Sequence, residues 1–212
     1  MSISTQVMEA PVFERPRDRD DELRARPEVR FLDLPERRFV MIDGEGPPGD
    51  ETFAPRMPGL YATAYTLRFA LKARGVVERV SPLEGLWWTM DAETGLDAIL
   101  GPERADWRWV LMIGSPDAAT EAELGAALGA GRTNMDPALA PNLRVEPFAE
   151  GRAAQVLHVG PYSMERPTIE RLHAAVADAG LRLRGRHHEI YLGDPRRAAP
   201  ERYKTLIRHP VE

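Results

Sequence analysis

The chain has 212 residues, 43% of them hydrophobic and 29% charged, with a formal net charge of -5. That is the composition of an ordinary globular protein able to bury a full core, and its negative balance argues against a sequence-independent nucleic-acid binder, which needs a basic surface. Cysteine is absent, which removes disulfides and thiol chemistry and disfavours zinc, and no signal-peptide core or apolar run of roughly 18 residues occurs, so a soluble cytoplasmic protein without a membrane partner is expected.

Residues 1–30 are charged and proline-containing, as in Arg15-Pro16-Arg17-Asp18-Arg19-Asp20-Asp21-Glu22. The alternating charges cancel, and the segment reads as a solvated surface arm ahead of one domain over 31–212. Arg37 to Asp43 reads as the first strand, broken by the glycine- and proline-rich loop from Gly44 to Asp50. Leu60 to Arg74 has helical spacing in Leu60, Ala64, Leu67 and Leu71, and Tyr61, Tyr65 and Phe69 form a second stripe. That stripe either packs on the sheet or puts the Tyr61 or Tyr65 hydroxyl into a pocket, since a buried phenol needs a partner. Gly75 ends the helix, a strand runs through Ser81 to Trp88, Gly101-Pro102-Glu103 makes a turn, and Trp107 to Ile113 is the next strand. Trp87, Trp88, Trp107 and Trp109 are either core residues or the flat walls of an aromatic pocket.

Glu121 to Leu128 reads as a short alanine-rich helix, followed by a loop to Asn142. Ala153 to Tyr162 is then a strand, Pro167 and Thr168 start a helix with Ile169, Leu172, His173 and Val176 on one side, and Gly180 ends it. His187-His188-Glu189-Ile190-Tyr191-Leu192 is a strand closed by Gly193-Asp194-Pro195, and Tyr203 to Val211 is the last. Alternation puts Ile190 and Leu192 with His188 on one face, the better candidate for the core. Glu189 then shares the other face with His187 and Tyr191, which is either wet or a cavity.

An offset of 105 residues superposes Gly75 on Gly180, Leu67 on Leu172 and Glu84 on Glu189 without a gap. The chain therefore reads as two strand–helix–strand–strand units, about 36–113 and 151–212, joined by a connector over 114–150. The expected fold is α+β: a duplicated antiparallel sheet with helices on one side and a central cleft at the pseudo-twofold seam. Under that offset Glu84 and Glu189 are equivalent, Glu84 and Trp88 face the cleft, and Trp87 lies behind.

The segments Gln155 to Tyr162, His187 to Arg197 and Lys204 to Val211, with Ile42 to Pro47 and Pro82 to Trp88, resemble the GyrI-like small-molecule-binding proteins. The resemblance spans about 30–212 and implies the duplicated fold of that family, here without a helix-turn-helix module. Members of its stand-alone branch hydrolyse cyclopropanoid genotoxins of the duocarmycin, yatakemycin and CC-1065 type, and the resemblance places the implicated glutamate at Glu189. General-base attack of water on a strained cyclopropane suits a carboxylate there, its pKa raised by partial burial. Tyr65 or Tyr162 would donate to the carbonyl oxygen. Glu84, Tyr61, Tyr191, His187 and the four tryptophans are the candidate ligand contacts.

The alternatives are a non-catalytic module that sequesters aromatic or cationic drugs, and a protein inhibitor of a DNA-acting enzyme acting through an acidic surface. Adjacent histidines on a strand point opposite ways, so His187 and His188 make a poor metal pair even with His158. No metal and no cofactor is expected, and Arg196 and Arg197 read as a solvated rim.

Overall fold

The computed structural model describes residues 10–47, 50–89 and 107–212. The expected turn at Gly101 to Glu103 lies outside them. The described elements are α1 (Arg19–Glu22), β1 (Arg30–Leu34), β2 (Arg37–Glu45), α2 (Asp50–Phe53), α3 (Met57–Ala73), β3 (Leu83–Thr89) and β4 (Trp107–Gly114). They continue with α4 (Glu121–Thr133), β5 (Arg144–Phe148), β6 (Gly151–Val159), α5 (Arg166–Asp178), β7 (His187–Tyr191) and β8 (Lys204–Pro210).

The strands form one antiparallel sheet in the order β1-β6-β8-β7-β3-β4-β2-β5. Each half reads edge, first, last and middle strand outward to inward, and the halves meet where β3 pairs with β7. The α+β duplication therefore holds. β1 and β5 are edge strands that the sequence pattern did not reveal: β1 falls between the segment read as arm and the first unit, and β5 falls in the connector.

The two halves end their central helices in the same way. Gly75 and Gly180 take φ of +86° and +70°, a region that favours glycine. The amide of Val76 donates to the Leu71 carbonyl, and that of Leu181 to the Val176 carbonyl. α4 starts instead on a capping box, Thr120 and Glu123 each bonding the other's backbone amide.

The longer helices cover one face of the sheet in two separate patches. Leu60, Leu67 and Leu71 of α3, with Leu124 and Ala127 of α4, pack on Val40, Ile42, Trp87, Trp109, Leu111 and Ile113. Ile169, Leu172 and Val176 of α5 pack on Ala154, Val156 and Ile207. β7 lies between the strands that carry the two patches, and its Tyr191 packs against the first of them. α3 and α4 approach closely enough that a Cβ at Gly131 would sit 2.0 Å from the Thr63 hydroxyl.

The opposite face is also buried, and the N-terminal arm is part of its cover. Glu14 bridges to Leu32, and Glu22 is 2% exposed. From residue 10 on, the arm is thus docked on this face rather than free of it. Two of its charges find partners on the sheet far away in sequence, Arg19 with Glu84 and Glu22 with Arg37 and Arg208, while Arg15, Arg17, Asp18 and Asp20 stay exposed.

Candidate functional site

On the helix side of β7, the Glu189 side chain is 12% exposed and that of His187 is fully buried. Glu189 Oε2 accepts from the Tyr191 hydroxyl at 2.8 Å, and Oε1 lies 3.1 Å from His187 Nε2. An ionised carboxylate only accepts, so the imidazole donates there. The Glu165 carboxyl, at the entry to α5, meets that of Glu189 in hydrogen-bonding contact and lies beside Thr205. Glu165 is 5% exposed, and its Oε1 has no partner.

Electrostatics separates these two acids. Burial works against charge on Glu189, but hydrogen bonds from His187 and Tyr191 outweigh it and hold its pKa below the usual carboxylate range. Burial, then the Glu189 charge, pushes Glu165 up to about 10. Glu189 is the ionised member and Glu165 the protonated one, since two touching carboxyls without a cation do not both ionise. The expected upward shift therefore falls on Glu165. The strand geometry gives Glu189 two donors that partial burial alone did not foretell.

Aromatic rings surround the pair. Tyr162, 42% exposed, meets Tyr191 edge-on at 5.7 Å and Tyr203 at 5.4 Å. Burial and the two nearby acids raise its phenol to about 12, so it stays a donor. Gly85 is the register partner of Glu189, and the Trp87 indole leans across it, with Nε1 2.7 Å from where a Cβ would stand. That indole nitrogen is buried without a partner. A depression of about 180 Å³ opens beside Tyr191, Tyr162, Tyr203, Asp194, Arg197 and Lys204. It is smaller than a drug-sized ligand needs, which is about 300 Å³ or more.

Residues 113–212 match the family model of the GyrI-like small-molecule-binding domain. A solved structure of an uncharacterised conserved protein from Listeria innocua is 33% identical, over 92% of this chain and 97% of that one, with a TM-score of 0.78. The chain belongs to the GyrI-like family. A hydrolase from the same organism is 32% identical over 92% of this GyrI-like chain and 96% of its own, with a TM-score of 0.75. The C-terminal domain of EcmrR, at 16% identity and a TM-score of 0.51, shares the fold. No curated protein matches.

Within the GyrI-like frame, Glu189, His187, Tyr191 and Tyr162 come together, the two tyrosines at the rim of the depression. Tyr61, Tyr65 and Phe69 line up along α3 with ring centroids 6.4 and 6.3 Å apart. Tyr65 and Phe69 are 45% and 56% exposed, so the stripe is an uncovered aromatic wall rather than a core seam. Burial and the Asp194 charge raise the Tyr61 phenol. Trp107 and Trp109 stand on the helix side but within the core: Trp109 is fully buried, its indole N–H bonding the Gly46 carbonyl at 3.2 Å. Trp87 touches both, at centroid distances of 5.5 and 6.2 Å.

Glu84 and Trp88 do not face the cleft. Glu84 pairs in register with Ile190 and Gly85 with Glu189, so Glu84 and Glu189 lie on opposite faces. Glu84 is instead part of a buried ion network with residues that the sequence reading missed. His188 presents Nε2 to Glu84 at 3.0 Å and Nδ1 to Glu150 at 3.0 Å. A neutral imidazole has one N–H, so two carboxylates require the charged ring. Its pKa is accordingly raised, with Glu150 and Glu84 overcoming burial. Arg208 bonds Glu150 at 2.8 Å, Glu22 at 3.0 Å and Gln155 at 2.6 and 2.8 Å, and Arg19 pairs with both Glu22 and Glu84. Three carboxylates thus meet three cations, with Arg37 bonding Glu22 from the edge at 3.1 Å.

Among the described residues, no group of three or more His, Cys, Asp and Glu is placed to hold a metal ion. His158 is turned toward Thr168 and the Pro161 carbonyl, away from His187 and His188. No helix of the described residues is long and apolar enough to cross a membrane. Arg196 and Arg197 are exposed beside Asp194.

Proposed function

We propose that this GyrI-like protein is a small-molecule hydrolase in which Glu189 activates water, with cyclopropanoid genotoxins as its substrate class. One observation carries the reading: an ionised, largely buried carboxylate held by His187 and Tyr191, next to the depression that Tyr191 and Tyr162 line. Bonds from His187, Tyr191 and the protonated Glu165 use three of about four acceptor sites on the carboxylate, which leaves one for a water. In the reaction Glu189 takes a proton from water as its oxygen bonds the unhindered cyclopropyl carbon. The breaking C–C bond gives its electrons to the dienone, which becomes a phenolate. Tyr162, kept protonated by its surroundings, is the donor to that oxygen. The likeness to a hydrolase over nearly the whole chain supports this reading.

A second reading has its own observation. The Tyr61–Tyr65–Phe69 stripe, exposed at Tyr65 and Phe69 and with the Asp194 charge near Tyr61, also suits sequestration of aromatic cations without turnover. Glu189→Gln, assayed for binding and for ring opening by mass spectrometry, decides between them. Hydrolysis predicts retained binding and turnover reduced by about 10²–10⁴-fold. Loss of both points to capture by charge, and unaltered ligand recovered stoichiometrically from the unmodified protein overturns the hydrolase.

A further inference from the structure

Behind His187, the helix side of the sheet holds two more histidines that the chemistry above does not use. His209 follows Arg208, the register partner of His188, and so stands beside His187 on the neighbouring strand. Their ring centroids are 6.1 Å apart. His173 comes down from α5 onto His209, at a centroid distance of 5.2 Å. His187 and His209 are fully buried, and His173 is half-buried.

Four nitrogens of these three rings are buried without a hydrogen-bond partner: His187 Nδ1, His173 Nε2 and both nitrogens of His209. A native interior rarely leaves such atoms unbonded. The Gly185 backbone lies near His209 and can serve one of its nitrogens at most. Trp87, the register partner of His187 on β3, carries its indole nitrogen over Gly85 instead. The three rings are left to complete one another. No ring nitrogen reaches another directly, but a water among them has the two to four polar partners that a buried water requires.

We propose that His209 and His173, bridged by a buried water, are positioning residues that hold His187 with its Nε2–H on Glu189. This rests on Glu189 being the base of the reaction above. Burial, then neighbouring histidines, holds His209 at about 3 and His173 at about 4, so both rings are neutral at pH 7. A neutral imidazole offers one donor and one acceptor. The pair therefore serves His187 Nδ1 in either of its charge states, donating to a neutral ring and accepting from a charged one. The bond from His187 is the largest effect that keeps Glu189 ionised against burial. A ring free to turn would cost the base both its charge and its aim. Glu189, His187 and His209 thus follow the order of a reacting group, its partner and the group that orients the partner.

Nitrogen-15 NMR of the histidine rings in the intact protein tests this without a ligand. At neutral pH the proton on His187 Nε2 should exchange slowly, and the His209 ring should show cross-relaxation with a long-lived water. A His187 Nε2 without a proton, or rings with no water contact, overturns the proposal. His209→Phe keeps the bulk of the ring and removes both nitrogens. It should speed exchange at His187 Nε2 and lower kcat for cyclopropane opening by about tenfold or more, with KM within about twofold. His209→Gln, which keeps an amide donor and acceptor, should recover most of both. Equal behaviour of the two variants, or an unchanged His187 signal in His209→Phe, overturns the positioning role. Should urea unfolding show that His209→Phe does not fold, His173→Phe and His173→Gln carry the same comparison from the half-buried ring. An unmodified protein that opens no cyclopropane removes the hydrolase reading alone, and the exchange at His187 Nε2 then decides the positioning by itself.

Discussion

The two faces of β7 carry the same residue types within three positions of each other and do opposite things with them. On the far face, His188 stands between Glu84 and Glu150, Arg208 and Arg19 complete the set, and every charge has an opposite. On the helix face, Glu189 has His187 and Tyr191 but also a second acid, and atoms are left over. A compensated buried network fixes structure, because removing any member strands the rest. An undercompensated one is held in place by the fold around it and is available to a ligand.

The largest effect that can break this comparison is loss of Arg208. Arg208→Met leaves Glu22 and Glu150 buried against too few cations, at an expected cost of about 3–5 kcal/mol in urea unfolding. Glu189→Gln, by contrast, removes one of two touching acids and should change stability by less than about 1 kcal/mol. Similar losses for the two variants would mean that both faces are structural.

Acid unfolding should separate the faces next. Burial, then neighbouring histidines, holds the ring of His173 down to about 4 and that of His209 to about 3. A depressed histidine means that the unfolded chain takes up protons first, so this stability is complete above the ordinary value of about 6.5 and is lost as pH falls below it. Glu150 is held at about 2 by His188 and Arg208 against burial. Its contribution is complete above about 4.5 and is lost from there down. His188 is raised, so its share is fully present below about 6.5 and is lost only at higher pH. Between about pH 6.5 and 4.5, then, the far face holds while the two histidines weaken the helix side, partly offset by Glu165, whose raised pKa favours the folded state as pH falls. His209→Phe should flatten the fall of unfolding free energy in that window, and an unchanged slope would contradict the assignment.

Much of this was legible in the sequence, and the exception has a definite cause. Helix ends at Gly75 and Gly180 are local events written in a few residues, and the 105-residue offset found there is correct. The strands that follow start at Leu83 and His187, an offset of 104, because the first linker is one residue longer. A slip of one residue moves every side chain to the other face. Glu84 was therefore assigned to the cleft when it belongs to the ion network, and Trp87 and Trp88 exchanged sides. Glu165 was not legible at all, since no spacing rule connects a residue at a helix entry to a strand residue 24 positions on. The arm hid its role for a similar reason: Glu22 finds Arg208 at a separation of 186 residues, which only the folded sheet brings together.

The smallest effect tests that slip directly. Trp88 lies on the far face with the Arg186 guanidinium 3.6 Å from its ring centroid, a cation–π contact at the edge of the network. Such a contact is worth about 0.5–1 kcal/mol at a partly exposed site. Arg186→Gln should therefore lower stability by about that amount, measured by urea unfolding, because glutamine keeps part of the stem but loses the charge. It should leave affinity for an aromatic cation such as ethidium untouched, since the whole sheet separates Arg186 and Trp88 from Glu189. The alternation read from the sequence puts Trp88 in the cleft, and on that geometry Arg186 would hold a ligand wall in place. A several-fold loss of ethidium affinity with little change in stability would then be the result, and it would restore Trp88 to the binding surface.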